Sequence, residues 1–572
     1  MPLLFILSSC LVFLGLIMGL GLPLAAGLPL RADEKICAGA ALALIAIYLF
    51  ALVDYWGALP PLVFQLLPLA ALAGFALRWR PCLAILRDPP AQHMLGAYLG
   101  VAGWLLGFLA LVRNYSGGGW ALDWIDHYAR SLFFLQHWSV PTLILGNDPL
   151  PSRPPLANLV TSAFLALTDS ACPWFQIFTT LLGSLAFLPG WLFAKRFGHG
   201  SLRAVTLFTV LFMLNPSVIE NGTFAWTKLI TVFFVLSGFY FLLQGMEITS
   251  RGRLVLGFLL LAAAFLAHYS AGPYLVALIP AYFWWRRWQW RTQAFGSDTA
   301  ACALAGAALL ATWFIWAIAN YGVHGAFLTN TSVAESTVHS WASFAQEKSF
   351  NLFSTLIPHP FRAVDYGFIA QTSRLGFARD YIFLLYQVNL PLMFGSFGGA
   401  ALLWLLGQAW HEDKRDSALL PWTFWAWFTG CTIVLGTAAN GGIDHWGVAH
   451  LCLQSLLVLG LAFLAAHFDE LPRLLRAAFV IGLMVDFILG VGLQFYFENL
   501  HHSRVSFMHD AGRTLAATYG LCTEMNLEAK YLNRLEFVGD WPIARPLLVA
   551  SLACLLGLVL VQLCRARRKA LS

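Results

Sequence analysis

The chain has 572 residues, of which 59% are hydrophobic and 11% charged, whereas a water-soluble domain carries about 25% charge. That balance excludes a soluble enzyme, a disordered chain and a nucleic-acid binder. In a membrane protein the formal net charge of +6 sets orientation rather than naming an acidic partner. The 10 cysteines include no Cys-X-X-Cys pair, so neither a zinc site nor a disulfide framework is expected.

In chain order, apolar runs fall near 3–27, 36–53, 57–77, 93–112, 173–194, 202–219, 224–245, 253–268, 272–285, 299–319, 386–409, 417–437, 447–467, 475–497 and 546–564. They predict an all-α polytopic membrane protein with about 15 transmembrane helices. The first run lacks a basic leader and a cleavage site, so it is expected to be a span. Alternating the loops puts 21 of the 34 Lys and Arg on one side, in short turns such as Arg286-Arg287 and the tail Arg565–Lys569. Short basic loops stay cytoplasmic. This holds only if the 157–169 stretch is an interfacial helix, because 13 residues are too few to span. The N-terminus is then outside and the C-terminus cytoplasmic. Loops 113–172, 320–385 and 498–545 face outward, and HSWASFAQEKSFNLFSTLI (339–357) reads as a helix lying along the membrane surface. No repeat or soluble appendage is visible. The expected divisions are three N-terminal helices in 1–92, a core in 93–320, an outer loop in 321–385 and C-terminal helices in 386–572.

The informative stretch is GGGWALDWIDHYARSLFFLQHW (117–138). On a helix Asp126 and Arg130 share a face, as do Asp123, His127 and Arg130; Leu132–Leu135 would hold the helix at the interface. Such a cluster can act as a general base, hold a divalent cation, or only cap and pair locally. The loop then runs through Asn147-Asp148-Pro149 and Arg153-Pro154-Pro155-Leu156 into an apolar helix.

An acidic pair opening the first outer loop, a following interfacial helix and a Pro-Pro-Leu lead into a second one resemble the GT-C superfamily. These are polytopic glycosyltransferases that use lipid-phosphate sugars. DWIDHYARSLFF and RPPLANLVTSAFLALTDS are similar to segments of its aminoarabinose-transferase and protein-O-mannosyltransferase-like branch, over a layout of roughly residues 93–320. The resemblance implies a GT-C-like fold, with Asp126 at the position of the catalytic carboxylate and Asp123 beside it. The two are three apart here rather than adjacent, which leaves open which is the base and whether a metal binds at Asp123 and Asp126; the expected reaction has Asp126 deprotonate the acceptor hydroxyl. It implies a polyprenyl-phosphate sugar donor, a lipid, glycan or protein acceptor, surrounding membrane lipids and no nucleic acid. The location implied is a bacterial inner membrane with the site on the periplasmic face.

Further candidates lie in other outward turns. Lys228, in NPSVIENGTFAWTKLI, is either a snorkelling lysine or the cation for the donor phosphate. His268 and Tyr269, in AHYSAGP, offer donors at the same level, as does His445 in NGGIDHWGVAH. Arg130, His127 and Arg153 complete the expected phosphate-binding set. Two other functions are compatible with the sequence. An O-antigen-ligase-like transferase would rely on Arg362 or Arg374 of the large loop. A lipid-linked sugar transporter or flippase would rely on Asp486, the one clear acid inside a span.

Overall fold

The computed structural model describes residues 2–493 except 114, 118–122, 145–147, 331–339, 365–368, 370–373, 412–419, 421, 440 and 450–452; beyond 493 it describes 495, 537–540 and 546. The expected last span, most of the outer segment 498–545, the basic tail and His339 lie outside the described residues. Among those described, all regular structure is helical, with a lone bridge between Ile144 and Asp148.

The helices are α1 (Pro2–Ala26), α2 (Ala32–Gly57), α3 (Leu66–Leu77), α4 (Trp79–Arg87), α5 (Pro89–Leu109), α6 (Asp123–Leu135), α7 (Leu156–Leu167), α8 (Cys172–Ser184), α9 (Phe187–Phe197), α10 (Leu202–Leu214), α11 (Pro216–Thr223), α12 (Lys228–Glu247), α13 (Arg251–Ala267), α14 (Gly272–Trp285) and α15 (Gln293–Phe327). Further helices cover Trp341–Leu356, Arg374–Gln387, Leu390–Met393, Gly398–His411, Trp422–Ala438, Gln454–Ala466 and Arg473–Phe487. Six described helical stretches are long and apolar enough to cross a membrane, or eight if two bent pairs each count as one span. The chain is therefore an integral membrane protein.

Two expected elements differ. The run 202–219 breaks at Asn215, whose side chain caps a separate short helix, α11, bent 64° from α10. Hydropathy averages across that break, but Pro216 has no N–H to continue the ladder. The run 386–409 is interrupted twice, at Asn389–Pro391 and at Gly395, whose φ of +86° is left-handed. Helix α6 is enclosed by protein: Trp124 to Phe134 are all buried, with Phe134 edge-on to Tyr55 of α2.

Two ends of the bundle carry charge. At one, Glu34 at the start of α2 accepts from Arg253 (2.9 Å) and Tyr240 (3.1 Å), pairs with Arg31 (3.0 Å), and its neighbour Asp33 pairs with Lys195. These contacts fasten the N-terminal helices to α9, α12 and α13. At the other end, α2 meets the loop after α6 through His137 and Asp54 (3.1 Å), and Tyr321 of α15 donates to the Val140 carbonyl (2.6 Å). The shafts between pack closely, and α1 and α2 touch backbone to backbone at Gly21 and Gly39.

A methyl at Gly39 would sit 2.9 Å from the Gly21 carbonyl oxygen, whereas Gly15 has open space around it. Gly39→Ala should therefore cost about 1–3 kcal/mol by pushing the helices apart. Gly15→Ala should be neutral or slightly stabilising. Thermal unfolding of the two variants in detergent checks the contrast.

Candidate active site

Helix α6 brings its charges inward, because its i, i+4 spacing stacks Asp126 against Arg130 inside a protein shell. Arg130 is 1% exposed. Its Nε donates to both Asp126 oxygens (3.1 and 2.9 Å), Nη1 to the Leu150 carbonyl (2.6 Å) and Nη2 to the Ser152 hydroxyl (2.8 Å). Arg130 thus folds the Leu150–Ser152 turn onto α6. That turn delivers Arg153, whose Nε lies 3.1 Å from Asp126 and whose Nη2 lies 3.7 Å from Asp123. Two guanidiniums and two carboxylates form one knot.

The carboxylates are not equivalent. Burial alone would raise the pKa of Asp126, but Arg130 and Arg153 outweigh it and bring the group down to about 2. Asp123 keeps 33% of its side chain open and has one distant partner. There burial wins over Arg153 and Lys228, and its pKa is raised. Asp126 is a permanent anion that aligns the arginines; Asp123 is the stronger base. His127, 3% exposed, is pushed down to about 3 by burial and then by Arg153, so its ring is neutral.

The remaining wall comes from other helix ends. Lys228 starts α12, lies over the Trp226 ring (5.7 Å), and its field reaches Asp123 and His127. His268 caps the next turn: its Nδ1 accepts from the Ser270 N–H (3.0 Å). The hydrogen of the neutral ring therefore sits on Nε2, 3.5 Å from Lys228 Nζ. Tyr269 donates to the Pro151 carbonyl (3.0 Å), holding the Arg153 turn.

Eight of the nine sequence candidates are thus drawn together: Asp123, Asp126, His127, Arg130, Arg153, Lys228, His268 and Tyr269. His445 is not among them. Its ring packs on Phe350 (5.1 Å) in a separate knot, where Asp444 accepts from the Trp446 and Gly447 N–H groups. Arg362 holds that knot through the carbonyls of Ile357, Ser354, His445 and Trp446, so its donors are consumed by backbone. Asp486 accepts from the Tyr386 hydroxyl (3.1 Å) and from the Ser396 N–H (2.6 Å) and hydroxyl (2.5 Å), a satisfied polar group that ties down the break at Gly395.

The structure adds Asp148, whose pKa burial raises and which feels both arginines and both aspartates. Its place in Asn147-Asp148-Pro149 marked it as a turn residue, and nothing local signals that the turn folds back on α6. Both Asp126 oxygens face guanidinium, and the described residues contain no group of three His, Cys, Asp or Glu placed to hold a metal.

No protein-family model matches the chain, and no curated protein matches it. A solved structure to which it is similar is that of ArnT from Cupriavidus metallidurans bound to undecaprenyl phosphate, at 13% identity and a TM-score of 0.46, covering 80% of this chain and 78% of that one.

Arg130→Leu should destabilise the protein by about 3–5 kcal/mol, because it leaves the buried Asp126 charge with Arg153 alone and frees the Leu150–Ser152 turn. Arg130→Leu combined with Asp126→Leu should recover much of that loss. Melting temperatures of the single and double variants test the coupling.

Proposed function

We propose that this protein is a GT-C-type membrane glycosyltransferase that moves a sugar from a polyprenyl-phosphate donor to a hydroxyl of a lipid, glycan or protein acceptor, on the outer (periplasmic) face of a bacterial inner membrane. The observation that carries the reading is the pairing of a partly open carboxylate, Asp123, with Lys228 at the start of α12, the Arg153 guanidinium and the His268 ring just after α13. A phosphodiester needs those cations, since its charge persists and grows on the leaving phosphate as the sugar departs. An acceptor alcohol needs the carboxylate to take its proton as it attacks the anomeric carbon.

Asp123 is the base in this scheme. Its raised pKa and open side chain suit proton abstraction, whereas Asp126, held near 2 between two guanidiniums, is a poor proton acceptor. Asp126 instead orients Arg130 and Arg153. Lys228 and the Nε2–H of His268 hold the donor phosphate, with Arg153 beside them. The anomeric carbon is then attacked from the side opposite the leaving phosphate, which inverts its configuration. A ligase centred on Arg362 and a transporter centred on Asp486 find less support, because both groups spend their hydrogen bonds on the protein itself.

Asp123→Asn should abolish transfer at normal expression, read by mass spectrometry of lipid-linked and envelope glycans from cells carrying each variant. Retained transfer in that variant removes the assignment. With the donor so identified, kcat/KM should fall as pH drops through the raised pKa of Asp123, a limb above the ordinary carboxylate value. Asp126→Asn should chiefly raise the KM for donor, on the order of tenfold or more, because the arginines lose their anchor. An acid limb unmoved by changes around Asp123 would point to another base.

A further inference from the structure

We propose that a narrow cavity behind the carboxylates is a binding site for one water molecule, which links the Asp126 helix to the turn carrying Lys228. The cavity lies between His127 of α6, Asn158 and Thr161 of α7, Phe175 of α8 and Thr227 just before α12. It has room for the centre of a single water, about 10 Å³, which is what one such molecule requires. No charged side chain lines it, so the ligand is neutral.

Its polar lining is incomplete without an occupant. Asn158 is 2% exposed and Thr227 5%, yet Asn158 Nδ2 and Thr227 Oγ1 have no hydrogen-bond partner among the described residues. An unmet buried group of this kind costs about 1–3 kcal/mol. His127 Nδ1 lies 3.3 Å from Asn158 Oδ1. With the amide oxygen accepting, that nitrogen donates. An amide donor and a hydroxyl give a buried water the two partners it needs at least.

The residues so joined reach the groups that matter: Asn158 holds His127, which follows Asp126, and Thr227 precedes Lys228. The water therefore fixes the spacing between the carboxylate helix and the cation turn. Its catalytic relevance rests on the glycosyl-transfer reading, but its presence does not.

Thr227→Val and Thr227→Ser separate the outcomes. With the water in place, valine removes a satisfied hydroxyl and the melting temperature falls by on the order of 1–3 °C, while serine restores it. If the cavity is dry, valine removes an unmet hydroxyl and the melting temperature rises, which overturns the proposal. Binding of undecaprenyl phosphate to purified protein gives the second readout: valine should weaken it about three- to tenfold and serine less than about twofold. Should wild-type protein fail to bind that lipid, the transferase reading falls while the melting shift still decides the water. If the valine variant does not fold, a cryo-EM map of wild type fine enough to show waters decides directly: a peak between Asn158 and Thr227 supports the site, and an empty cavity overturns it.

Discussion

The site depends on one buried ionic knot. Asp126 is held below the usual carboxylate range by Arg130 and Arg153, and in return it holds them. Arg130 spends its other nitrogens on the Leu150 carbonyl and the Ser152 hydroxyl. That anchor, with the Tyr269 hydroxyl on the Pro151 carbonyl, holds the Pro149–Arg153 turn over α6. A buried pair is weak as a source of stability, because desolvation offsets much of the attraction. Its value here lies in placement: it fixes the position of Arg153 and leaves Asp123 as the one carboxylate of the pair with an open side chain.

The knot sits at one end of a bundle whose opposite end is fastened by a second ionic cluster around Asp33 and Glu34. Between them the shafts of α1, α2, α12 and α13 meet at glycines, so their separation is set by backbone contact. Rigid shafts and two pinned ends keep the first residue of α12, Lys228, and the last turn of α13, with His268, level with α6. Precision of this kind suits a reaction in which most of the rate comes from placed charge.

Much of this was legible in the residues. Hydropathy gave the membrane class and most helices, because a span must satisfy its own backbone and so must be helical and apolar. The i, i+4 spacing of Asp126 and Arg130 announced their pairing. What sequence spacing could not show was reach. Arg153 and Asp148 come to α6 only through the folded turn, and Arg362 looks as able to grip a phosphate as Arg153 until its carbonyl partners are known. The breaks at Asn215–Pro216 and at Gly395 lie within runs that remain apolar, so a windowed average passes over them. The division of labour between Asp123 and Asp126 was equally hidden, since it follows from unequal shares of guanidinium and solvent.

The central claim is that the cluster formed by α6, the Arg153 turn, Lys228 and His268 seats the phosphate of a polyprenyl lipid. The most direct measurement is photo-crosslinking with a polyprenyl-phosphate analogue carrying a diazirine near its phosphate, followed by peptide mapping. Labelling concentrated in peptides containing residues 123–130, 148–153 and 226–230, and competed away by undecaprenyl phosphate, is the predicted result. Competed labelling confined to peptides remote from these, such as those around Arg362 or Asp486, would contradict it.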